Sequence, residues 1–261
     1  MGKHKRYIPQ HGINPAKFKA QLDALSDKVE RQQRVIDMIA LSYDRHIDLL
    51  SNFARHDIGN AVQNLYAAIE MADDKDMAAI KMAADAVNKA LNTFENIVPY
   101  SADNSFELSK LMLAVETLCR SNFSLHGIQY RFVYDRQHVQ KIDQPFQQLL
   151  QLLQNMVINS IRAMKDSPVK EFVLEAEVID DDCIIRVKDT GCGIQDENLD
   201  RIFEYKFTTT EGGTGIGLFH AKYIADNLNG EISVDNKGDY YHTIFTIKFP
   251  KDGRKEDIGG R

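Results

Sequence analysis

The stretch QLLQLLQNMVINSIRAM, residues 148–164, reads as one helix with two different faces. Phe146, Leu149, Leu153, Val157, Ile161 and Met164 recur at steps of three and four, the period of a buried helical stripe. Asn155, Asn159 and Arg162 fall at i, i+4 and i+7, so they share a second face roughly opposite the first. Two carboxamides and a guanidinium in one row are costly to bury without partners. On an isolated helix such a row is a solvated face. The downstream sequence decides against that reading.

Two glycine turns lie beyond the helix. The first is DTGCGI, residues 189–194, entered directly from the apolar run 184–188, which reads as a strand. A carboxylate at a strand end, Asp189, accepts a hydrogen bond from an exocyclic amino group such as that of adenine. Gly191 and Gly193 let the backbone approach a flat ring without a Cβ in the way. The second turn is GGTGIGL, residues 212–218. Gly213, Gly215 and Gly217 lie just before or within the first turn of a helix expected over 215–228. Free N–H groups and the positive end of the helix dipole make such a place a phosphate site. Between the turns lies IFEYKFTT, where Phe203 and Phe207 are placed to anchor the second turn by packing.

The asparagine helix and the two turns, in this order and at these distances, resemble the N, G1 and G2 boxes of one ATP-binding domain. That domain is shared by sensor histidine kinases, gyrase-type topoisomerases, mismatch-repair ATPases and one class of chaperones. Each short glycine motif recurs by chance; three in order, with an F-box-like segment between the last two, form a specific signal. The resemblance implies ATP and Mg²⁺ as cofactors, with Asn159 as the metal ligand. A side-chain carbonyl is a suitable hard-oxygen donor for Mg²⁺. Arg162 would face the phosphates, and Asn155, Ile194, Phe207, Thr214 and Leu218 complete the implied pocket. Where the hydrolases of the family carry a glutamate four residues before the asparagine, this chain has Asn155. That agrees with the histidine kinases and leaves no general base for water at that position. Thr208-Thr209-Thr210 departs from the Thr-Thr-Lys of many relatives, with Lys206 the nearest cation.

The first part of the chain has a different character. Asn14 and Pro15 are suited to cap and start a helix. No proline and only Gly59 interrupts the helical pattern from there to about residue 71. Leu22, Leu25, Val29, Ile36, Ile39, Tyr43, Leu50 and Phe53 fit a heptad seam, with Gln32 and His46 on the same seam. Near His56 the stripe shifts and continues as Ile58, Val62, Leu65 and Ile69. A helix of about 55 residues is about 80 Å long, more than one small domain buries, so a partner helix from a second copy is expected. DDKD, residues 73–76, is a turn, and a second striped helix runs to about residue 98, ended by Pro99. Two such hairpins make a four-helix bundle.

FARHDIGNAVQNL, residues 53–65, resembles the H box of histidine kinases. The resemblance makes His56 the phosphoacceptor and gives Asp57 the role of hydrogen-bonding the imidazole to sharpen one ring nitrogen as a nucleophile. His46 fits worse: no acid directly follows it and it lies on the seam. Ala61 stands where many relatives have proline. Asn60 shares a helix face with Asp57. Two readings of it stay open: support for removing phosphate from a partner's aspartate, or a polar seam residue that fixes register.

The expected fold class is α + α+β. A dimerising helical hairpin (16–98, after an arm 1–15) precedes an ATP-binding domain (106–250) with a mixed sheet covered on one face by three helices, then a tail (251–261). The expected partners are a response-regulator receiver domain and a second copy of the chain. A net charge of -6 argues against a nucleic-acid surface, and no apolar run approaches the length of a membrane span. With no signal peptide, and with three unpatterned cysteines that point to a reducing compartment, a soluble cytoplasmic protein is expected. The rival functions are an ATPase of the same superfamily, a non-enzymatic dimeric scaffold, and an anti-sigma-type serine kinase.

Overall fold

The computed structural model describes residues 19–20, 23–34, 36–37, 59–71, 81–87, 105–210, 213–236 and 238–253. The chain divides into two units, Met1–Ala40 and Leu41–Arg261. In the first, residues 23–34 are helical. The expected seam residues Leu25, Val29 and Ile36 are 58%, 57% and 58% exposed within the single chain. His46, His56, Asp57, the turn at 73–76, the arm 1–15 and the tail beyond 253 lie outside the described residues.

In the second unit, helix α1 spans Gly59–Met71, with Asn60 exposed and Ala61 buried. The sheet domain begins with β1 (Ser105–Glu107), which pairs antiparallel with β3 (Lys141–Asp143). Between them come α2 (Leu108–Leu125) and β2 (Gln129–Tyr134); after them come α3 (Phe146–Ala163), β4 (Glu171–Ile179) and β5 (Asp182–Asp189). The domain ends with α4 (Gly217–Asn227), β6 (Glu231–Asp235) and β7 (Thr243–Pro250). The main sheet has the order β2-β4-β5-β7-β6. The β2–β4 pair is parallel and the other pairs are antiparallel, so the sheet is mixed as expected.

Alternation of side chains explains the layering. Phe172, Leu174 and Ala176 on β4, Cys183, Ile185 and Val187 on β5, and Phe245, Ile247 and Phe249 on β7 are all buried in one core. A strand sends successive side chains to opposite faces, so these nine positions define the covered face. Leu111 and Leu118 of α2, Leu149 and Leu153 of α3, and Ile224 of α4 belong to the same core. The opposite face carries ion pairs, Lys188–Glu175 at 2.7 Å and Lys248–Asp182 at 2.9 Å. Pairs this exposed contribute at most about 1 kcal/mol each; they mark the face toward water. The β4–β5 hairpin turns at Asp180, whose φ of 55° is a left-handed conformation that aspartate tolerates.

Two expectations are corrected. Helix α4 starts at Gly217 rather than Gly215, because Gly215 has a φ of 65° and cannot be helical. Helix α3 is not two-faced. Leu149, Leu150, Leu152, Leu153, Met156 and Val157 are buried, and so are Gln154 and Asn155, whereas Ile161 is only partly buried. Its neighbours are the cause: α3 packs against α2, α4 and β5, so it is covered on several sides rather than one. Among the described residues no helix is long and apolar enough to cross a membrane.

Phe172 sits at the centre of the aromatic packing, with ring centroids 5.0 Å from Phe123 and 6.3 Å from Phe132. It is fully buried. Phe172→Ala should lower the unfolding free energy of the sheet domain by about 3–5 kcal/mol. Urea denaturation followed by circular dichroism measures this; a loss under about 1 kcal/mol would show that the site collapses around the change.

Candidate nucleotide-binding site

The site is built where β5 ends against the C-terminal half of α3. Asp189 is the last residue of β5 and is 2% exposed. One carboxylate oxygen accepts the Ser160 hydroxyl at 2.8 Å, and the other accepts the Gly191 N–H at 2.9 Å. The Thr243 side chain, at the start of β7, is a further hydrogen-bond partner. Burial pushes the Asp189 carboxyl above the usual carboxylate range; the hydrogen bonds from Ser160, Gly191 and Thr243 and the nearby His242 act the other way. A carboxylate has about four acceptor positions, so this one keeps capacity for an incoming donor.

The turn after Asp189 is fixed by packing. A Cβ on Gly191 would lie 2.6 Å from the Ala163 Cβ and 2.7 Å from Asp189 Oδ1. Only glycine lets the turn sit against the end of α3, where the Cys192 N–H donates to the Ala163 carbonyl at 3.1 Å. Gly191 therefore makes room first for the protein itself. Gly193 has a φ of 72° and favours glycine for conformational reasons. His242 Nδ1 lies 2.6 Å from the Gly191 carbonyl, and its backbone N–H donates to the Asp189 carbonyl at 3.0 Å. Ile194 packs against the core, and its carbonyl accepts Asn236 Nδ2 at 2.7 Å.

The glycine loop before α4 rests on the segment 202–209. Ile202 is buried, Phe203 meets Phe245 edge-on at 6.5 Å, and the Arg201 guanidinium lies 4.6 Å from the Phe207 ring centroid. A Cβ on Gly215 would lie 2.6 Å from the Lys206 carbonyl oxygen and 2.6 Å from the Phe207 nitrogen, and Lys206 itself has a φ of 63°. On Gly213 a Cβ would collide with the Thr208 side chain. Thr214 is exposed, Leu218 is half-buried, and Gly217 is the first helical residue of α4. The first intrahelical bond of α4 is His220 N–H to the Ile216 carbonyl, 2.8 Å. The N–H groups just before it are helix-end donors of the kind that hold phosphate.

The row expected on α3 divides. Asn155 is 3% exposed and turned toward α4, with its Nδ2 3.2 Å from Nδ1 of His220. Asn159 is half-buried, and its Nδ2 is buried with no partner. Arg162 is exposed. Ser160, Thr243, His242 and His220 carry much of the geometry and were not among the expected residues. Ser160 had one available signal: a hydroxyl next to Asn159 on the helix turn that faces the end of β5.

Residues 146–253 match the family described as histidine kinase-, DNA gyrase B- and HSP90-like ATPase. Sporulation kinase A of Bacillus subtilis (strain 168) is 34% identical over 147 residues, which is 55% of this chain and 23% of that kinase. The catalytic domain of histidine kinase ThkA, in a nucleotide-free form, has a TM-score of 0.52 at 25% identity, over 57% of this chain and 97% of that one. Residues 146–253 thus resemble the ATP-binding domain of sensor histidine kinases. ThkA in complex with the response regulator protein TrrA shares the fold at a TM-score of 0.50 and 19% identity, over 89% of this chain and 67% of that one. The chain spans less than a quarter of the length of the curated kinase it matches.

The match to that family implies ATP binding, and the residues fit a nucleotide. A buried carboxylate, Asp189, and the helix-end donors of α4 are both present, and Asn159 on α3 adds a buried carboxamide nitrogen with no partner. Among the described residues no group of three or more His, Cys, Asp or Glu side chains is placed to hold a metal by itself. A metal here would draw its remaining ligands from phosphate and water, as Mg²⁺ commonly does.

Burial of Asp189 has a pH consequence. A carboxyl whose pKa rises on folding favours the folded state most below its unfolded pKa, and that contribution is lost as pH rises through the folded value. Asp189→Asn removes the titrating group and keeps an acceptor oxygen. The variant should melt at a higher temperature than wild type at neutral pH, and the gap should close as pH falls into the carboxylate range. Thermal scans across pH check this; a variant less stable than wild type at every pH would show that the buried charge is compensated.

Proposed function

We propose that the chain is a homodimeric protein-histidine kinase that phosphorylates itself on His56 from Mg-ATP. Its phosphoryl group then passes to an aspartate of a response-regulator receiver domain. The observation that carries this reading is the Asp189 site, a buried carboxylate with spare acceptor capacity between α3 and the glycine turn, in a domain of the kinase family.

Asp189 accepts the amino group of adenine. Helix-end N–H groups at Gly215 and Gly217, with Gly213 and Thr214 before them, hold phosphate. Asn159 contributes a carbonyl oxygen to Mg²⁺, whose charge offsets that of the phosphates, and Arg162 adds a guanidinium. Ile194, Phe207 and Leu218 line the apolar part. A neutral ring nitrogen of His56 attacks the γ-phosphorus as the bond to the β–γ bridging oxygen breaks. ADP leaves, and the other ring nitrogen gives up its proton, with Asp57 orienting the ring. The receiver carboxylate then attacks the phosphorus, the P–N bond breaks, and an acyl phosphate forms. Positioning and charge neutralisation carry most of such a transfer.

Against the ATPase reading, Asn155 occupies the position of the hydrolases' glutamate, and a carboxamide is no base for water. The exposed seam of Leu25, Val29 and Ile36 supports a second copy as partner. ThkA has been crystallised with a response regulator; by the H-box resemblance we assign this chain a partner of the same class. Asn60 is exposed on α1, a position open to a role in dephosphorylating that partner as well as to a register role. A cytoplasmic location follows from the partner.

His56→Gln should abolish acid-labile labelling by γ-labelled ATP while leaving nucleotide binding intact. Continued labelling of that variant, or its loss in His46→Ala instead, would refute the assignment. Asn159→Ala should remove most of the gain in ATP affinity that Mg²⁺ provides, read by calorimetry with and without the ion; an unchanged gain would remove Asn159 from the metal site.

A further inference from the structure

The contact between Asn155 and His220 joins two elements that the proposed nucleotide uses at different atoms. Asn155 lies one helical turn before Asn159 on α3. His220 is the residue whose N–H closes the first turn of α4, directly behind the helix-end donors. Their side chains are 3% and 8% exposed and meet at 3.2 Å. A carboxamide nitrogen only donates, so His220 Nδ1 accepts from Asn155; the flipped amide would instead accept from an Nδ1 proton. One hydrogen bond joins the helices in either case.

We propose that His220 is a positioning residue: through Asn155 it fixes α4 against α3, and so sets the spacing between Asn159 and the phosphate-facing N-terminus of α4. This rests on the nucleotide reading above. Apolar contact between packed helices tolerates small slides. A buried hydrogen bond does not, because breaking it strands a donor and an acceptor away from water. The clasp lies within one turn of both features whose separation matters when one phosphate chain bridges a metal at Asn159 and the α4 donors. It is remote in sequence from Asp189, where the base is held. The pair also accounts for Asn155 being turned toward α4 and not presented as part of an open polar row.

The part of this bond in positioning is separable from its part in stability. Replacing both partners of a buried hydrogen bond by apolar groups of similar shape is nearly neutral, whereas removing one leaves the other unsatisfied. Stability and positioning can therefore be separated by experiment.

Calorimetry on the full chain, with ADP and ATP, each with and without Mg²⁺, tests this on His220→Leu, His220→Asn and the double variant Asn155→Leu/His220→Leu. Both leucine variants should lose roughly tenfold of the Mg²⁺-dependent part of ATP affinity, the scale of one well-placed hydrogen bond. In His220→Leu, Mg²⁺-free ADP binding, which depends on Asp189, should stay within about twofold. His220→Asn keeps a group able to bond Asn155 and should retain most of the Mg²⁺-dependent gain. Should the single leucine variant fail to fold, the double variant, which leaves neither atom of this hydrogen bond unpaired, carries the test. A full Mg²⁺-dependent gain in the double variant overturns the proposal. Equal losses with and without Mg²⁺, together with a lower melting temperature, also overturn it and make the pair structural. A wild-type chain that binds neither nucleotide overturns the nucleotide reading, and this inference with it.

Discussion

The geometry of the site depends on a carboxylate held out of water. Asp189 draws four elements to one point: β5, which it ends; α3, through Ser160; the glycine turn, through Gly191; and β7, through Thr243. A buried charge without such partners is prohibitive, so each donor is held in place by the need of the others. Packing then removes the remaining freedom, since Gly191 and Ala163 are too close to admit a Cβ between them. The same burial that strengthens a hydrogen bond to an incoming donor raises the pKa of the acid and costs folding stability at neutral pH. A fold selected for stability alone would place an apolar side chain here.

The covered face is legible where alternation holds, over β5 and β7, with the charged residues between giving the wet one. β4 departs from that rule, since Val173 is buried between Phe172 and Leu174. The ordered motifs gave the site its place, at the end of β5 and before α4. The burial of Asn155 against α4 is not readable from the helical period, which distinguishes faces only when one side of the helix is covered. Helix α3 lies against α2, α4 and β5, so its second face is interior too. Buried Gln154 and Asn155 look, in sequence, the same as solvated ones. Ser160 and His220 were missed for a related reason: each acts through a partner distant in the chain, Asp189 and Asn155, and no local pattern encodes that pairing. The start of α4 was placed two residues early because Gly215 reads as a helix opener in sequence, whereas its packing on Lys206 and Phe207 demands a positive φ.

The two ends of the site differ in how complete they are without ligand. Around Asp189 most donors and acceptors are already matched, so a base enters a surface whose shape is set. On the phosphate side, Asn159 Nδ2 is buried with no partner, and the first-turn donors of α4 have no intrahelical acceptors. Unmatched polar atoms favour whatever supplies the missing partner. On the proposed reading that is the phosphate chain with its metal, so phosphate-side order and nucleotide binding are thermodynamically linked. On the same reading such linkage would suit release of ADP, with the base site supplying selectivity at constant geometry and the phosphate side gaining order from the group that transfer removes.

That division also bears on the choice between the kinase reading proposed above and a hydrolase. Hydrolysis needs a base beside the γ-phosphate to activate water; transfer to histidine needs none, because a neutral imidazole nitrogen already carries its lone pair. With Asn155 in the base position and hydrogen-bonded to His220, the nearest polar group on α3 before Asn159 is both non-basic and committed to another helix. Water that enters is therefore not activated from that side. The bond that ties α3 to α4 thus has a second consequence under the proposed reading: it keeps the carboxamide from orienting a water at the γ-phosphate. On that reading, ATP hydrolysis without transfer would be suppressed by the same contact proposed to set the spacing of the phosphate groups.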